Sequence, residues 1–409
     1  MNRSNESLNL GRRVRQLLAA LVALSLVSGG SVASYAAEDT GDKIGITPTS
    51  IALGACLPLS GALRERGEGV LAGAKMYFSY INDQGGINGR KFQLDVADDG
   101  LDAEKAIQCF NTHLKDKAFS GFLFLGSPTI VKYVRMADVN KMPMFGYCTG
   151  VPTLYEFHPT QFTIRPSYDD EVSALVKHLV LSGCARIAII FRSDAFGAAI
   201  RSSAIKGLGA FKLSPASEAS YSGQGDDVLE AFNTTRQSKP DAVVLGLVAH
   251  YLTELIARKN KDKWNSVFAA LSVATDYIEQ DAKECEGIVV MQVWPPLEQH
   301  LPAIELYDKL RQKYAPSSKP NVSVFEGMLN AMVFTEAVRH AGKDLTRTKL
   351  IAALENMHDY DIGLGKDYLI NFGARNHAGL TEAAVYSSIM RNGRLVRMTN
   401  GDWQHIRAR

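Results

Sequence analysis

Residues 50–96 read SIALGACLPLSGALRERGEGVLAGAKMYFSYINDQGGINGRKFQLDV. Ser50–Leu57 is an apolar run closed by Pro58, the mark of a buried strand. Val70, Leu71, Ala74, Tyr77, Phe78 and Ile81 then recur at helical spacing. Gly85-Gly86 ends that helix, Asn88-Gly89 makes a tight turn, and Phe92, Leu94 and Val96 alternate as a second strand. Strand, helix, strand with a buried first strand is the opening of a parallel sheet.

The cadence continues in both directions along the chain. Asp102 is placed to cap a helix carrying Ala103, Ala106, Ile107, Phe110 and Leu114. Gly121–Leu125 reads as a strand, Thr129–Asn140 as a helix and Pro143–Tyr147 as a strand. The pattern restarts beyond Thr163–Ser167 with the helix Asp169–Ser182, the strand Arg186–Phe191 and the helix Phe196–Phe211. Further strands are expected at Asp241–Leu247, Ser266–Leu271 and Gly287–Val293, and long helical stripes at Pro302–Tyr314, Val324–Ala341 and Thr346–Asn356. Asn392-Gly393 predicts a closing hairpin between Val385–Arg391 and Arg394–Met398. The expected fold class is α/β, two doubly wound parallel-sheet halves.

Upstream, Arg12, Arg13 and Arg15 precede an apolar run from Leu17 to Val27 and small residues to Ala37. A basic start, a short apolar run and small residues predict a secretory signal peptide over 1–36, cut near Ala36 or Ala37. The run is shorter than the roughly 20 residues that span a bilayer. Periplasmic localisation follows as an expectation. From Ala37 onward 41 basic residues face 42 acidic ones. A near-neutral body has no electrostatic drive toward DNA or anionic lipid, so no nucleic-acid partner is expected.

Motifs for catalysis are missing from the sequence. There is no GxxxxGK[ST] loop, no HExxH, no CxxC pair and no GxSxG elbow. Asp98-Asp99-Gly100-Leu101-Asp102 lacks the closing Glu of a calcium loop and reads as a strand end with a helix cap. No enzyme, catalytic residue, cofactor or metal is expected. Cys56, Cys109, Cys148, Cys184 and Cys285 are scattered. An export route permits a disulfide, but the chain is long enough to fold without one, and buried, quiet thiols are expected, with Cys56 as a plain strand residue. Ligands of open parallel sheets sit beyond the carboxyl ends of the strands. Here those ends carry Ser60-Gly61, Gly126-Ser127-Pro128-Thr129 and Cys148-Thr149-Gly150. Small polar loops at helix N-termini suit a carboxylate or another compact anion.

The run Leu57–Gly61, Gly73-Ala74 and Ile81–Lys91 resembles the type I periplasmic binding proteins, in the branch of the leucine/isoleucine/valine-binding proteins of ABC importers. The resemblance continues through Asp98-Asp99, the Gly126–Thr129 loop, Pro143, Phe162–Tyr168, Asp194–Gly197, Pro240–Val243 and Glu286-Gly287. It implies two α/β lobes joined by a three-strand hinge, closing on a small solute. The lobes would be 47–164 plus 296–372 and 165–295 plus 373–400. It also implies a monomer that binds a small-molecule ligand, an amino acid or related small organic acid, and hands it to an ABC permease in the inner membrane. The alternative is a sensor of an amide, urea or aromatic acid feeding a signalling partner. Residue by residue, the resemblance places Ser60, Ser127, Cys148, Thr149 and Gly150 in the ligand loops of the first lobe and Phe196 opposite them. Gly150 stands where branched-chain binders have a hydroxyl, and Arg66 where they have a tyrosine. The carboxylate that meets the ligand ammonium in that family has no clear counterpart here, and Asp276 is the nearest candidate.

Overall fold

The structure is a computed structural model and describes residues 40–223, 227–247 and 250–406. The segment read as a signal peptide, 1–36, lies outside the described residues. In chain order the main elements begin with β1 (Ser50–Leu57), α1 (Arg64–Asp83), β2 (Lys91–Asp98), α2 (Ala103–Cys109), β3 (Ser120–Phe124), α3 (Ser127–Val139), β4 (Met144–Tyr147) and β5 (Gln161–Phe162). There follow α4 (Tyr168–Leu181), β6 (Ile187–Arg192), α5 (Ala195–Gly209), β7 (Glu218–Tyr221), α6 (Asp227–Gln237), β8 (Ala242–Gly246), α7 (His250–Lys261), β9 (Val267–Ala270), α8 (Thr275–Gln280) and β10 (Val289–Gln292). The chain ends with α9 (Pro302–Tyr314), α10 (Val322–Ala341), α11 (Arg347–Glu355), β11 (Tyr360–Asp361), β12 (Leu369–Ile370), β13 (Tyr386–Arg391), β14 (Arg394–Arg397) and α12 (Asn400–Gln404).

The first sheet has the order β2-β1-β3-β4-β5 and is parallel throughout. The second has the order β14-β13-β10-β9-β8-β6-β7. Its strands β6 to β10 run parallel, and the β13–β14 hairpin adds an antiparallel edge. Asn392 and Gly393 both take positive φ, 50° and 76°, the geometry a two-residue hairpin turn needs. This is the mixed α/β, two-lobed architecture that the strand pattern predicts. The helical stripe read as continuous through Leu114 is broken: α2 ends at Cys109, and a π turn covers Phe110–Leu114.

Helices α9, α10 and α11 pack on the first sheet, although they follow the second in sequence. Ile304, Phe325, Phe334 and Leu350 share one core with Leu53, Phe122 and Phe145. The approach of α10 to α1 needs glycine on both helices. A Cβ on Gly73 would stand 1.8 Å from the Val324 carbonyl oxygen, and one on Gly327 would stand 1.9 Å from that of Val70. The chain therefore passes between the sheets three times, after β5, after β10 and after β12. The first and third crossings pair, with Thr163 N–H donating to His377 and Gly379 N–H donating to Thr163. Tyr386 ties the second crossing by donating to the Trp294 carbonyl at 2.7 Å.

One cysteine expectation needs correction. Cys56 on β1 and Cys109 at the end of α2 form a disulfide. Helix α2 lies against the sheet, which brings the two residues together across 53 positions of sequence. Cys148, Cys184 and Cys285 are free and buried. Unfolded without reductant, the chain should titrate three thiols with an aromatic disulfide reagent; five would contradict the bond.

Candidate ligand-binding cleft

The cleft opens at the carboxyl ends of β3 and β4 and is closed over by α4 and α5 of the second lobe. Gly126, between β3 and α3, takes φ 108°, and a Cβ there would meet Leu101 Cδ1 at 2.4 Å. That turn aims Ser127 into the cleft at the start of α3, and Pro128 follows where a missing N–H costs nothing. Ser127 and Thr149 hydroxyls bond at 2.8 Å, and Thr149 donates to the Tyr168 hydroxyl at 3.1 Å. The three hydroxyls are buried yet keep unused hydrogen-bonding capacity, since each oxygen has two lone pairs and one proton. Burial above all pushes the Tyr168 pKa up, so the phenol stays a neutral donor.

The second lobe supplies an apolar cover. Asp194 caps α5 by accepting the Gly197 N–H at 3.0 Å, and Arg192 lies 3.1 Å from the other Asp194 oxygen. The cap turns the helix so that Phe196 meets Tyr168 edge-on, ring centroids 5.4 Å apart. Leu63, Leu101, Leu125 and Val273 complete the walls, and the cleft holds about 400 Å³ of empty space, counting its open mouth.

Beneath the cleft runs a chain of buried ions that joins the lobes. Arg66 Nη2 donates to Glu326 Oε2 at 2.8 Å, and Arg66 Nη1 to the Val273 carbonyl at 3.3 Å. The other Glu326 oxygen accepts from Arg165 at 2.8 Å, and Arg165 reaches Glu171 at 3.0 Å. Glu171 in turn accepts from the Ser272 hydroxyl and backbone N–H at 2.7 and 3.0 Å, and Arg165 bonds the same hydroxyl. Burial opposes the charge on Arg165, but Glu326 and Glu171 outweigh it and hold its pKa above the ordinary value. Two guanidiniums and two carboxylates balance one another, the condition for burying charge at all.

Of the residues singled out in the sequence, Arg66, Ser127, Cys148, Thr149 and Phe196 line the cleft. Three others are placed elsewhere. Ser60 is exposed and its hydroxyl bonds Asp98, whose carboxylate also holds the Leu59 N–H at 2.8 Å. Gly150 is needed for a close approach: a Cβ would lie 2.6 Å from Tyr168 N, which donates to the Gly150 carbonyl at 2.8 Å. Asp276 is buried against the start of α10, accepting the Val322 N–H at 3.1 Å and the Ser323 hydroxyl. Desolvation raises its pKa, against the pull of Arg66. Burial also pushes the Cys148 thiol well up, away from reactivity. Sequence reasoning missed Tyr168, Arg192, Asp194 and Glu326 as site residues. Tyr168 had a signal, because Ser167 and Asp170 form the capping box that sets it at the first position of α4.

The sequence model of the periplasmic binding protein family matches residues 50–392. The chain belongs to the periplasmic binding protein family. This family places the protein in the periplasm or outside the cell, and its members are solute-binding proteins rather than enzymes. The architecture of this periplasmic binding protein is similar to that of a possible leucine/isoleucine/valine-binding protein from Rhodopirellula baltica SH 1, with TM-score 0.79, 21% identity, and coverage of 88% of this chain and 98% of that one. It is also similar to a branched-chain amino acid ABC transporter protein from Thermus thermophilus with bound valine (TM-score 0.77, 18% identity, 87% and 96% covered). A third neighbour is an ABC transporter solute-binding protein from R. palustris in complex with benzoate (TM-score 0.72, 18% identity, 85% and 95% covered). At these identities the likeness is one of fold. No protein of curated function matches the chain. Among the described residues no helix is long and apolar enough to cross a membrane, and no group of acidic, histidine or cysteine side chains is arranged to hold a metal.

Proposed function

We propose that this periplasmic binding protein is the exported receptor of an ABC importer, and that its cleft takes a small organic acid with an apolar body. The observation that carries this reading is the pairing of donors with committed carboxylates. Ser127, Thr149 and Tyr168 form a hydroxyl relay on one side that ends in the unused Tyr168 O–H, and Arg66, buried in the lining, keeps an Nε–H without a hydrogen-bond partner among the described residues. An α-amino acid also needs an acceptor for its ammonium. The carboxylate in the lining, Asp194, accepts the Gly197 N–H through one oxygen and is ion-paired with Arg192 at 3.1 Å through the other, which has no hydrogen bond among the described residues, and Asp276 and Glu326 are engaged elsewhere. The apolar walls suit a hydrocarbon or aromatic body, as in the benzoate-bound neighbour. A signal peptide over 1–36, a periplasmic location and a membrane permease as recipient belong to the same proposal.

Hydrogen bonds to a charged group are worth about 1.5–3 kcal/mol. Ser127→Ala and Thr149→Val should each weaken acid binding roughly tenfold to a hundredfold by calorimetry. Phe196→Ala should weaken the acid and its amide alike, since it removes apolar cover rather than a donor. Mass spectrometry of the small molecule retained by gently purified protein tests the reading directly. Recovery of a carboxylic acid without an amine supports it, and recovery of an α-amino acid overturns it.

A further inference from the structure

Helix α8 belongs to the second lobe, between β9 and β10, yet its bonds run to the first. Asp276 Oδ1 accepts the Val322 N–H at 3.1 Å, and Asp276 Oδ2 accepts the Ser323 hydroxyl. Both partners open the twenty-residue helix α10, which packs on the first sheet. The first N–H groups of a helix have no partner within it, and its N-terminus favours negative charge. A carboxylate from one lobe thus serves a helix end of the other. Asp276 is 7% exposed and Ser323 1%. Farther along α8, Tyr277 donates to the Ala62 carbonyl at 3.5 Å and Gln280 to Glu65 at 3.3 Å, again across to the first lobe. Three residues before Asp276, Val273 lines the cleft and gives Arg66 its carbonyl.

Neither α8 nor the start of α10 lies in a crossing, so these bonds break whenever the two helices part. Two lobes joined by three narrow crossings can rotate against each other. Parted, the Asp276 carboxylate and the α10 donors meet water. Held together without the carboxylate, the Ser323 hydroxyl would be buried and the Val322 N–H left without its acceptor, which favours parting. We propose that Asp276 is a positioning residue of the clamp. It ties α8 to the α10 N-terminus, holds the lobes together and seats Val273 in the cleft wall, without itself touching the solute. This role concerns closure and stands whatever solute the cleft takes.

The test reads the distance between the lobes in the solute-free protein. Lys75→Cys on α1 and Ser202→Cys on α5 are exposed positions for a pair of spin labels, and the three free native thiols are buried. Pulsed electron resonance then gives the distance distribution. With an open form at about 0.1–10% in the parent, Asp276→Ala should raise the open-to-closed ratio roughly tenfold to a hundredfold. Ser323→Ala removes one of the two bonds and should raise it by about fivefold to tenfold. Added to Asp276→Ala, it should change little, because the bond it deletes is already gone. Asp276→Asn can still accept from Val322 and donate to Ser323, so its distribution should stay near the parent's. A residue that merely supports the fold would lower the melting temperature and leave the distance where it is. That outcome would overturn the proposal, as would independent effects of the two alanine variants. If Asp276→Ala folds poorly, Ser323→Ala carries the test alone, and an unmoved distribution there overturns the proposal equally.

Discussion

Glu326→Gln should lower folding stability by about 3–5 kcal/mol, the usual cost of removing one partner from a buried ion pair. The side chain keeps its shape, but one of its two accepting oxygens becomes an NH2 donor facing an arginine, so the loss combines the missing charge with a lost acceptor. Arg66 and Arg165 both lean on this carboxylate at 2.8 Å, and all three groups are at most 4% exposed. With a total stability of about 5–15 kcal/mol for a typical domain, the variant would forfeit a large share. The surface pair Arg64–Glu68 provides the contrast. Its side chains are half exposed at 55% and 52%, and Glu68→Gln should cost less than about 0.5 kcal/mol. Urea unfolding of the two variants checks both numbers. Equal, small losses would mean that the buried chain is not what fastens the lobes.

The second large effect concerns the Cys56–Cys109 bond. Closing a loop across 53 positions removes enough freedom from the unfolded chain to stabilise the fold by about 4 kcal/mol. Cys56→Ala with Cys109→Ala should therefore unfold at markedly lower urea than the parent. Reductant should shift the parent toward the double variant and leave the variant itself unchanged. A parent indifferent to reductant throughout its unfolding transition would argue against the linkage. Such a bond fits a chain that works in an oxidising compartment.

The sequence made much of the sheets legible because many of their strands are short apolar runs, some of them stopped by a Pro or Gly. Ser50–Leu57 and the Asn392-Gly393 hairpin are cases where local chemistry decides the outcome. The cleft was legible at Ser127 and Thr149, since loops at the carboxyl ends of β3 and β4 share one face whatever the rest of the chain does. The ion chain was not, because Arg66, Arg165, Glu171 and Glu326 meet only after the first two crossings between the sheets. Asp276 was misplaced for the same reason: its partners, Val322 and Ser323, lie on a helix of the other lobe. Gly150 carried a misleading signal. A small polar loop suggested a ligand contact, whereas the glycine is there to let the Tyr168 backbone approach. The disulfide was one pairing among several that five cysteines allow, and spacing does not choose among them.

On the proposed reading the cleft selects an acid through fixed donors and discriminates against an ammonium. Thermal unfolding of the purified protein against matched sets of compounds tests it most directly: isovalerate, hexanoate and benzoate, their amides, and valine. A ligand that binds the folded state alone raises the melting temperature with concentration. At least one acid should do so in the parent protein, with little effect in Thr149→Val, while its amide and valine leave the transition where it is. Stabilisation by valine, or by an amide more than by its acid, would contradict the account.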